Sequence, residues 1–186
     1  VVLNNSYSAL IVGVEVEVVF DASEKNNLSM PRLPEACTSR LVCDLRSELD
    51  DEPYSHACAA ARALDAGVGR LLQVGIRAFS KEEHERMLSD ERITTFFAQD
   101  TQSPCQGATH WQAWLDLLDS IEGPVHLTID IDGLDGALVP ATGTPVPGGL
   151  TFWQVQQTIQ TLFSASKAVV VSADVNEIVP QIDTPL

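Results

Sequence analysis

The sequence predicts an α/β fold built on a parallel sheet. Short apolar segments of strand length alternate along the chain with amphipathic segments of helix length, a pattern typical of βαβ units. Acidic residues recur where several of these strands end. A long loop rich in proline and glycine, spanning 136–149, follows one of them, and such loops more often form the wall of a site than a plain connection.

The elements are predicted in order along the chain. Leu10–Phe20 alternates valine and glutamate, which indicates a half-exposed strand at a sheet edge. Residues 21–35 are polar and contain two prolines, which indicates a loop. Parallel strands are then expected at 41–44, 71–76, 93–98, 124–131 and 168–173. Helices are expected between them, at about 56–66, 80–89, 110–121 and 151–165.

Ligands of open parallel sheets bind outside the carboxyl ends of the strands. The residues at these ends are Asp44, Arg77, Gln99-Asp100, the pair Asp130 and Asp132, and Asp174 with Glu177. Side chains at i and i+2 of a strand point to one face, so Asp130 and Asp132 are expected side by side. Two adjacent carboxylates need a cation, and hard ions such as Mn²⁺, Mg²⁺ or Ca²⁺ prefer oxygen ligands.

Composition narrows the class of protein. A chain of 186 residues suits one domain with a full core. Its formal charge of −15 argues against nucleic acid or an anionic membrane as partner. The same charge suits a cationic substrate, although an acidic soluble surface is the commoner explanation of such a charge. No apolar run reaches membrane-spanning length and no secretory signal is visible. The four cysteines lack C-x-x-C spacing and read as reduced, buried residues, which predicts a reducing compartment, cytoplasm or organellar matrix.

The stretch around Asp130 resembles the ureohydrolase family, which includes arginases and agmatinases. Its residues are Thr128-Ile-Asp130-Ile-Asp132-Gly-Leu-Asp135, then Thr142-Gly-Thr-Pro145 and Gly148-Gly149. Further matches are Leu45-Arg46, Tyr54-Ser55-His56-Ala57, Gly75-Ile-Arg77 and Asp174-Val-Asn-Glu177-Ile-Val-Pro180. The resemblance covers about 41–183, leaves 1–40 divergent, and favours the agmatinase branch. It implies a single three-layer αβα domain over 1–186, of the arginase/deacetylase type and shortened at both ends.

The family resemblance also implies a reaction. In ureohydrolases two manganese ions activate a water that attacks a guanidinium carbon, and urea leaves. By resemblance Asp44, Asp130 and Asp132 are metal ligands, His56 matches the proton-shuttling histidine, and Glu177 matches the residue that holds the substrate guanidinium. As generic residues, His56 could instead cap a helix and Glu177 could be solvated.

The sequence departs from the family at the remaining ligands. Aligning Asp44-Leu-Arg46 on the family pattern places Arg40 and Val42 where an aspartate and a histidine are expected, and no Gly-Gly-x-His motif occurs. Three of the six ligand positions are therefore unmatched, so at most one weakly bound divalent cation is expected. Arg40 either points toward Asp130 and Asp132 and replaces a metal charge, or lies in solvent before the strand.

The family resemblance and the unmatched ligand positions leave two classes of function. One is a manganese-dependent hydrolase of a guanidino compound, with missing ligands supplied by a partner or another segment. The other, favoured by the ligand count, is a catalytically impaired member kept as a structural or regulatory subunit. Exposed sheet edges predict an oligomer or a subunit of a larger assembly.

Overall fold

The computed structural model describes residues 45–48 and 52–179, together with the backbone of residues 10–14. Within this part of the chain, five strands form one sheet in the order β3-β2-β1-β4-β5, and every pairing is parallel. The strands are β1 (Leu10–Val14), β2 (Arg70–Ile76), β3 (Ile93–Phe97), β4 (Gly123–Asp130) and β5 (Ala168–Asn176).

The prediction that the first strand lies at a sheet edge is wrong. Strand β1 occupies the centre of the sheet, with β2 on one side and β4 on the other. The paired segment, Leu-Ile-Val-Gly-Val, holds no charged residue, which is typical of a strand buried in a parallel sheet. The alternating valines and glutamates that suggested an edge begin at its end and lie mostly outside the described residues. The strand predicted at 41–44 also lies outside them, and with it Asp44.

Helices connect the strands close to the predicted places. A 3-10 turn at His56–Cys58 leads into α1 (Ala59–Asp65), and α2 spans Lys81–Ser89. A short α3 (Ala98–Thr101) precedes α4 (Gly107–Asp119), which begins earlier than predicted. Helix α5 covers Phe152–Ser164. Ser80 and Thr151 begin α2 and α5 with reciprocal capping boxes to Glu83 and Gln154, so both starts follow directly from sequence.

The helices form two outer layers against the sheet. One core cluster joins Leu72, Val125 and Leu127 of the sheet to Trp114 of α4 and Leu162 of α5. A second cluster joins the other face of β2, through Leu71, to Leu64 of α1 and Met87 of α2. The architecture is therefore the predicted three-layer αβα arrangement. None of the described helices is long and apolar enough to cross a bilayer.

Two cysteines, Cys58 and Cys105, lie in the described part of the chain, and Cys105 is a free thiol. Cys58 is buried, as predicted, but Cys105 is exposed because it lies in the turn that precedes α4. The prediction that the cysteines are buried residues is therefore wrong for Cys105.

Candidate functional site

The two motif aspartates lie where β4 ends. Asp130 is the last residue of the strand and the N-cap of a 3-10 turn at Ile131–Gly133, and its Oδ1 accepts the backbone N–H of Asp132 at 3.0 Å. Asp132 therefore belongs to the turn, so strand alternation, the predicted reason for their proximity, is not what holds the two together. A hydrogen bond within the turn brings them together instead, at the predicted rim of the sheet.

Asp132 is nearly buried, with 4% of its surface exposed. Its carboxylate oxygen Oδ2 accepts a hydrogen bond from the Thr144 hydroxyl at 2.5 Å. Thr144 belongs to the Thr-Gly-Thr-Pro segment of the long loop, so the loop folds back over the end of β4. From the sequence this threonine is recognisable only as part of a motif. Its hydrogen bond to Asp132 was not predicted.

The long loop is closed at its base by glycine and by Asp135. A β-bridge joins Leu134 to Leu150, and a side chain at Gly149 would place its Cβ 2.5 Å from the Leu134 carbonyl. Only glycine permits this approach. The Asp135 carboxylate accepts the N–H of Ala137 at 2.9 Å and that of Gly148 at 2.6 Å. These backbone donors hold the pKa of Asp135 below its usual range.

Arg77 is the cation beside Asp132. It follows β2 directly, and its guanidinium Nη2 donates to the Asp132 carbonyl oxygen at 2.6 Å. The bond is to the backbone, so the aspartate side chain remains directed to Thr144. The predicted candidate for this position, Arg40, lies outside the described residues.

Glu177 follows β5 with a left-handed backbone, φ 60°. This conformation is costly for a residue with a side chain, and its surroundings hold it there. Asn176 donates to Thr128 of β4 at 3.2 Å, and the Val179 N–H donates to the Ala141 carbonyl of the long loop at 2.8 Å. The exposed Glu177 is thus fixed between β4 and the loop.

Asp174 lies inside β5, although the sequence placed it after the strand. It accepts from Asn176 at 2.8 Å and lies 3.1 Å from Nε2 of the buried His126. The other ring nitrogen, Nδ1, lies 2.6 Å from the Ser172 hydroxyl. His126 therefore joins the two strands by side-chain bonds, a role that the sequence reading did not assign to it.

The segment after Asp44 lies against the turn that begins at His56. The Arg46 N–H donates to the Ala57 carbonyl at 3.2 Å, and Leu45 is fully buried. The side chain of His56, like all of Asp44, lies outside the described residues. The structure thus brings the neighbours of these two predicted site residues together and leaves both predictions open.

Helix α2 holds the same segment through two adjacent glutamates. The Ser47 hydroxyl donates to Glu82 at 2.6 Å, and the Arg46 guanidinium lies 3.7 Å from Glu83. The Ser47 hydrogen bond lowers the pKa of Glu82, whereas burial raises the pKa of Glu83, which is fully enclosed. The pKa values of two carboxyl groups in one helical turn are therefore shifted in opposite directions.

The described donors do not by themselves fit a pair of metal ions. In residues 45–48 and 52–179 no three histidine, cysteine, aspartate or glutamate side chains are grouped so that they could hold a metal. Asp130 and Asp132 supply hard carboxylate oxygens, but each already accepts a hydrogen bond within the site. A cation at this rim would need further ligands beyond Asp130 and Asp132.

In an open α/β sheet, ligands bind outside the carboxyl ends of the strands, which is where Asp130 and Asp132 lie in this three-layer αβα domain. Residues 43–185 match the model of the Arginase family, and the chain therefore belongs to the arginase family. The match covers the β4 turn, the long loop and the segment after β5.

Individual relatives agree with this assignment. The chain is 40% identical to an N(1)-aminopropylagmatine ureohydrolase of Thermococcus kodakarensis, over 64% of this chain and 38% of that protein. It is 36% identical to an agmatinase of Pyrococcus horikoshii, over 67% of this chain and 40% of that protein. The chain thus spans about two fifths of the length of these curated relatives. The crystal structure of an agmatine ureohydrolase of Thermoplasma volcanium superposes with a TM-score of 0.62 at 29% identity, over 76% of this chain and 45% of that one.

Proposed function

We propose that this chain is a catalytically impaired, agmatinase-like member of the arginase family, kept as a structural or regulatory subunit. The observation that carries the proposal is the residue pair Arg40 and Val42, which stands where the family resemblance expects an aspartate and a histidine ligand. A two-metal hydrolase stabilises its transition state through a hydroxide shared by both ions. Losing several ligands removes that stabilisation rather than weakening substrate binding alone.

Residues of the ancestral site have distinct proposed roles. Asp44, Asp130 and Asp132 form an oxygen-rich rim that takes at most one weakly bound divalent cation, such as Mn²⁺. Glu177 faces a guanidino ligand, and His56 occupies the position of a proton carrier. The fixed left-handed backbone of Glu177 and the hydrogen-bonded turn of Asp132 support this arrangement.

The second candidate function is active hydrolysis of a guanidino C–N bond with release of urea. The similarity to proteins named agmatinase and N(1)-aminopropylagmatine ureohydrolase supports it. In this case a partner chain or a segment outside the described residues supplies the missing ligands. The formal charge of −15 favours a cationic small molecule over nucleic acid in either case.

Two measurements on the same preparation separate the candidates. The purified chain is loaded in Mn²⁺ buffer, its metal content is measured by elemental analysis, and urea release from agmatine and arginine is followed. We expect fewer than two Mn²⁺ per chain and no urea above a buffer blank. Two tightly bound ions with robust urea release would establish the active hydrolase.

Paired variants sharpen the experiment. Restoring ligands with Arg40→Asp and Val42→His should strengthen Mn²⁺ binding without full turnover, since no Gly-Gly-x-His motif is present. Asp130→Asn should remove the residual binding and leave the fold intact, because an asparagine oxygen can still accept the Asp132 N–H. Equal Mn²⁺ binding by Asp130→Asn and the parent would place the cation elsewhere.

A further inference from the structure

Arg77 makes an unusual set of contacts for a residue at a strand end. Its side chain is half-buried, and its guanidinium donates hydrogen bonds to five backbone carbonyl oxygens. The acceptors are Asp132 (2.6 Å), Val146 (2.8 Å), Leu134 (3.1 Å), Gly75 (3.2 Å) and Gly133 (3.4 Å). Three of them belong to consecutive residues of the turn after β4, and Val146 belongs to the far side of the long loop.

These contacts close a ring around the acidic turn. Arg77 holds the Asp132 carbonyl, the Asp132 carboxylate accepts from Thr144, and Val146, two residues further along, returns to Arg77. The Val146 carbonyl also accepts the N–H of Gly136 at 3.1 Å. This bond joins the start of the long loop to the same ring.

We propose that Arg77 is a positioning residue for the acidic rim: it fixes the Asp132 carboxylate relative to Thr144 and the long loop. The planar guanidinium can serve several carbonyls in one plane, whereas a lysine ammonium is a compact point charge with fewer donors. In so far as it concerns a cation at Asp132, the proposal rests on the proposed function and adds a residue to it. The effect on the loop itself does not depend on any metal.

Hydrogen exchange on the full chain tests the loop directly. The amides to follow in 133–150 include Asp135 N–H, which donates to the Leu150 carbonyl, and Leu150 N–H, which donates to the Gly133 carbonyl. We expect Arg77→Met to speed their exchange at least tenfold relative to amides of α4, and Arg77→Lys to give an intermediate increase. Arg92→Lys is the matched control, because Arg92 also donates to a carbonyl, that of Leu64, but lies just before β3, at the amino ends of the parallel strands rather than at their carboxyl ends.

Mn²⁺ titration provides the second measurement. If Asp132 holds a cation, Arg77→Lys should raise the Mn²⁺ dissociation constant about 10- to 100-fold, as losing an outer-shell partner typically does, while Arg92→Lys leaves it unchanged. Parental exchange rates in 133–150 for both Arg77 variants would overturn the proposal. If the parent binds Mn²⁺, an unchanged Mn²⁺ affinity in Arg77→Lys would overturn it as well. A parent that binds no Mn²⁺ while Arg77→Lys still loosens the loop would reject the proposed cation role and uphold the positioning role.

Discussion

Asp135 shows how one motif residue can act through the backbone. Its carboxylate receives N–H groups from Ala137 and Gly148, at the two ends of the long loop. Hydrogen bonds to an ionised acceptor are stronger than those between neutral groups. These bonds favour the ionised carboxylate and therefore lower the pKa of Asp135. The loop should be held more firmly when this carboxyl is ionised.

Asp135→Asn should therefore loosen the loop and cost about 1 kcal/mol of stability at neutral pH, a modest value because the group is partly solvated. The folded pKa lies below the unfolded one, so this stabilisation is present above the unfolded pKa. It is lost as pH falls through the lowered folded pKa. Urea denaturation at several pH values should show the parent and variant converging in acid. The exposed Asp119→Asn serves as control, and a similar loss in that variant would contradict the assignment.

Glu82 and Glu83 are adjacent residues whose pKa values are shifted in opposite directions. Burial raises the pKa of Glu83, so ionising it disfavours the folded state, and that penalty appears as pH rises through the folded pKa. Glu83→Gln should stabilise the protein at pH 8 and have little effect in acid, since glutamine preserves the capping box. The hydrogen bond from Ser47 lowers the pKa of Glu82. Glu82→Gln should therefore destabilise the protein at pH 8. Thermal denaturation at pH 4 and pH 8 checks both, and equal shifts in the two variants would refute this account.

At the scale of elements, α4 and α5 are joined by a buried polar contact inside an apolar core. Trp114 is fully buried, and its indole N–H donates to the Thr158 hydroxyl at 2.9 Å, with Thr158 also fully buried. The Trp114 ring meets Phe96 of β3 edge-on at 5.4 Å between centroids. Trp114 therefore links α4 to α5 through this hydrogen bond and to the sheet through its ring contact.

Thr158→Val should destabilise the protein by about 1–3 kcal/mol, because it keeps the volume and leaves a buried indole N–H without its acceptor. Thr158→Ser keeps the hydroxyl and loses only a methyl group, so its cost should be about 1 kcal/mol. Guanidinium denaturation gives both values. A serine variant less stable than the valine variant would show that the methyl packing matters more than the hydrogen bond.

Elements with local signals were predictable from the sequence. Ser80 and Thr151 specify helix starts by capping chemistry that is complete within four residues, and the apolar run before Asp130 specifies a buried strand. The position of β1 was not predictable in this way. Glu15 and Glu17 suggested an exposed face, but the order of strands in a sheet is decided by long-range pairing with β2 and β4.

The candidate site divides in the same way. Asp130, Asp132 and Glu177 stand out by motif. Asp130 ends β4, Asp132 lies in the turn that follows, and Glu177 comes directly after β5. Contacts that bridge distant segments carry no local signal. Arg77 reaches Val146 across 69 positions of the chain, and His126 reaches Asp174 across 48. Spacing rules for strands and helices extend over only a few residues, so these partners become visible only in three dimensions.

At the scale of the whole molecule, β5 is the most exposed of the four strands whose side chains the structure describes. It pairs with β4 on one side, and no described strand lies on the other. Val169 is 57% exposed, Val171 50% and Val175 52%. Natural edge strands are commonly protected by lysine, proline or a short length, yet β5 has nine residues and neither lysine nor proline.

This edge should make the chain self-associate or bind another chain along β5. Repulsion between molecules that carry a formal charge of −15 opposes association, so raising the salt concentration should promote it. Val171→Lys places a charge in the middle of the strand and should weaken self-association at least tenfold, about 1.4 kcal/mol. The control is Leu88→Lys, which replaces an apolar residue 74% exposed on α2 rather than on the sheet edge. Sedimentation velocity over a range of protein and salt concentrations measures the effect, and equal weakening by both lysine variants would indicate general charge rather than the β5 edge.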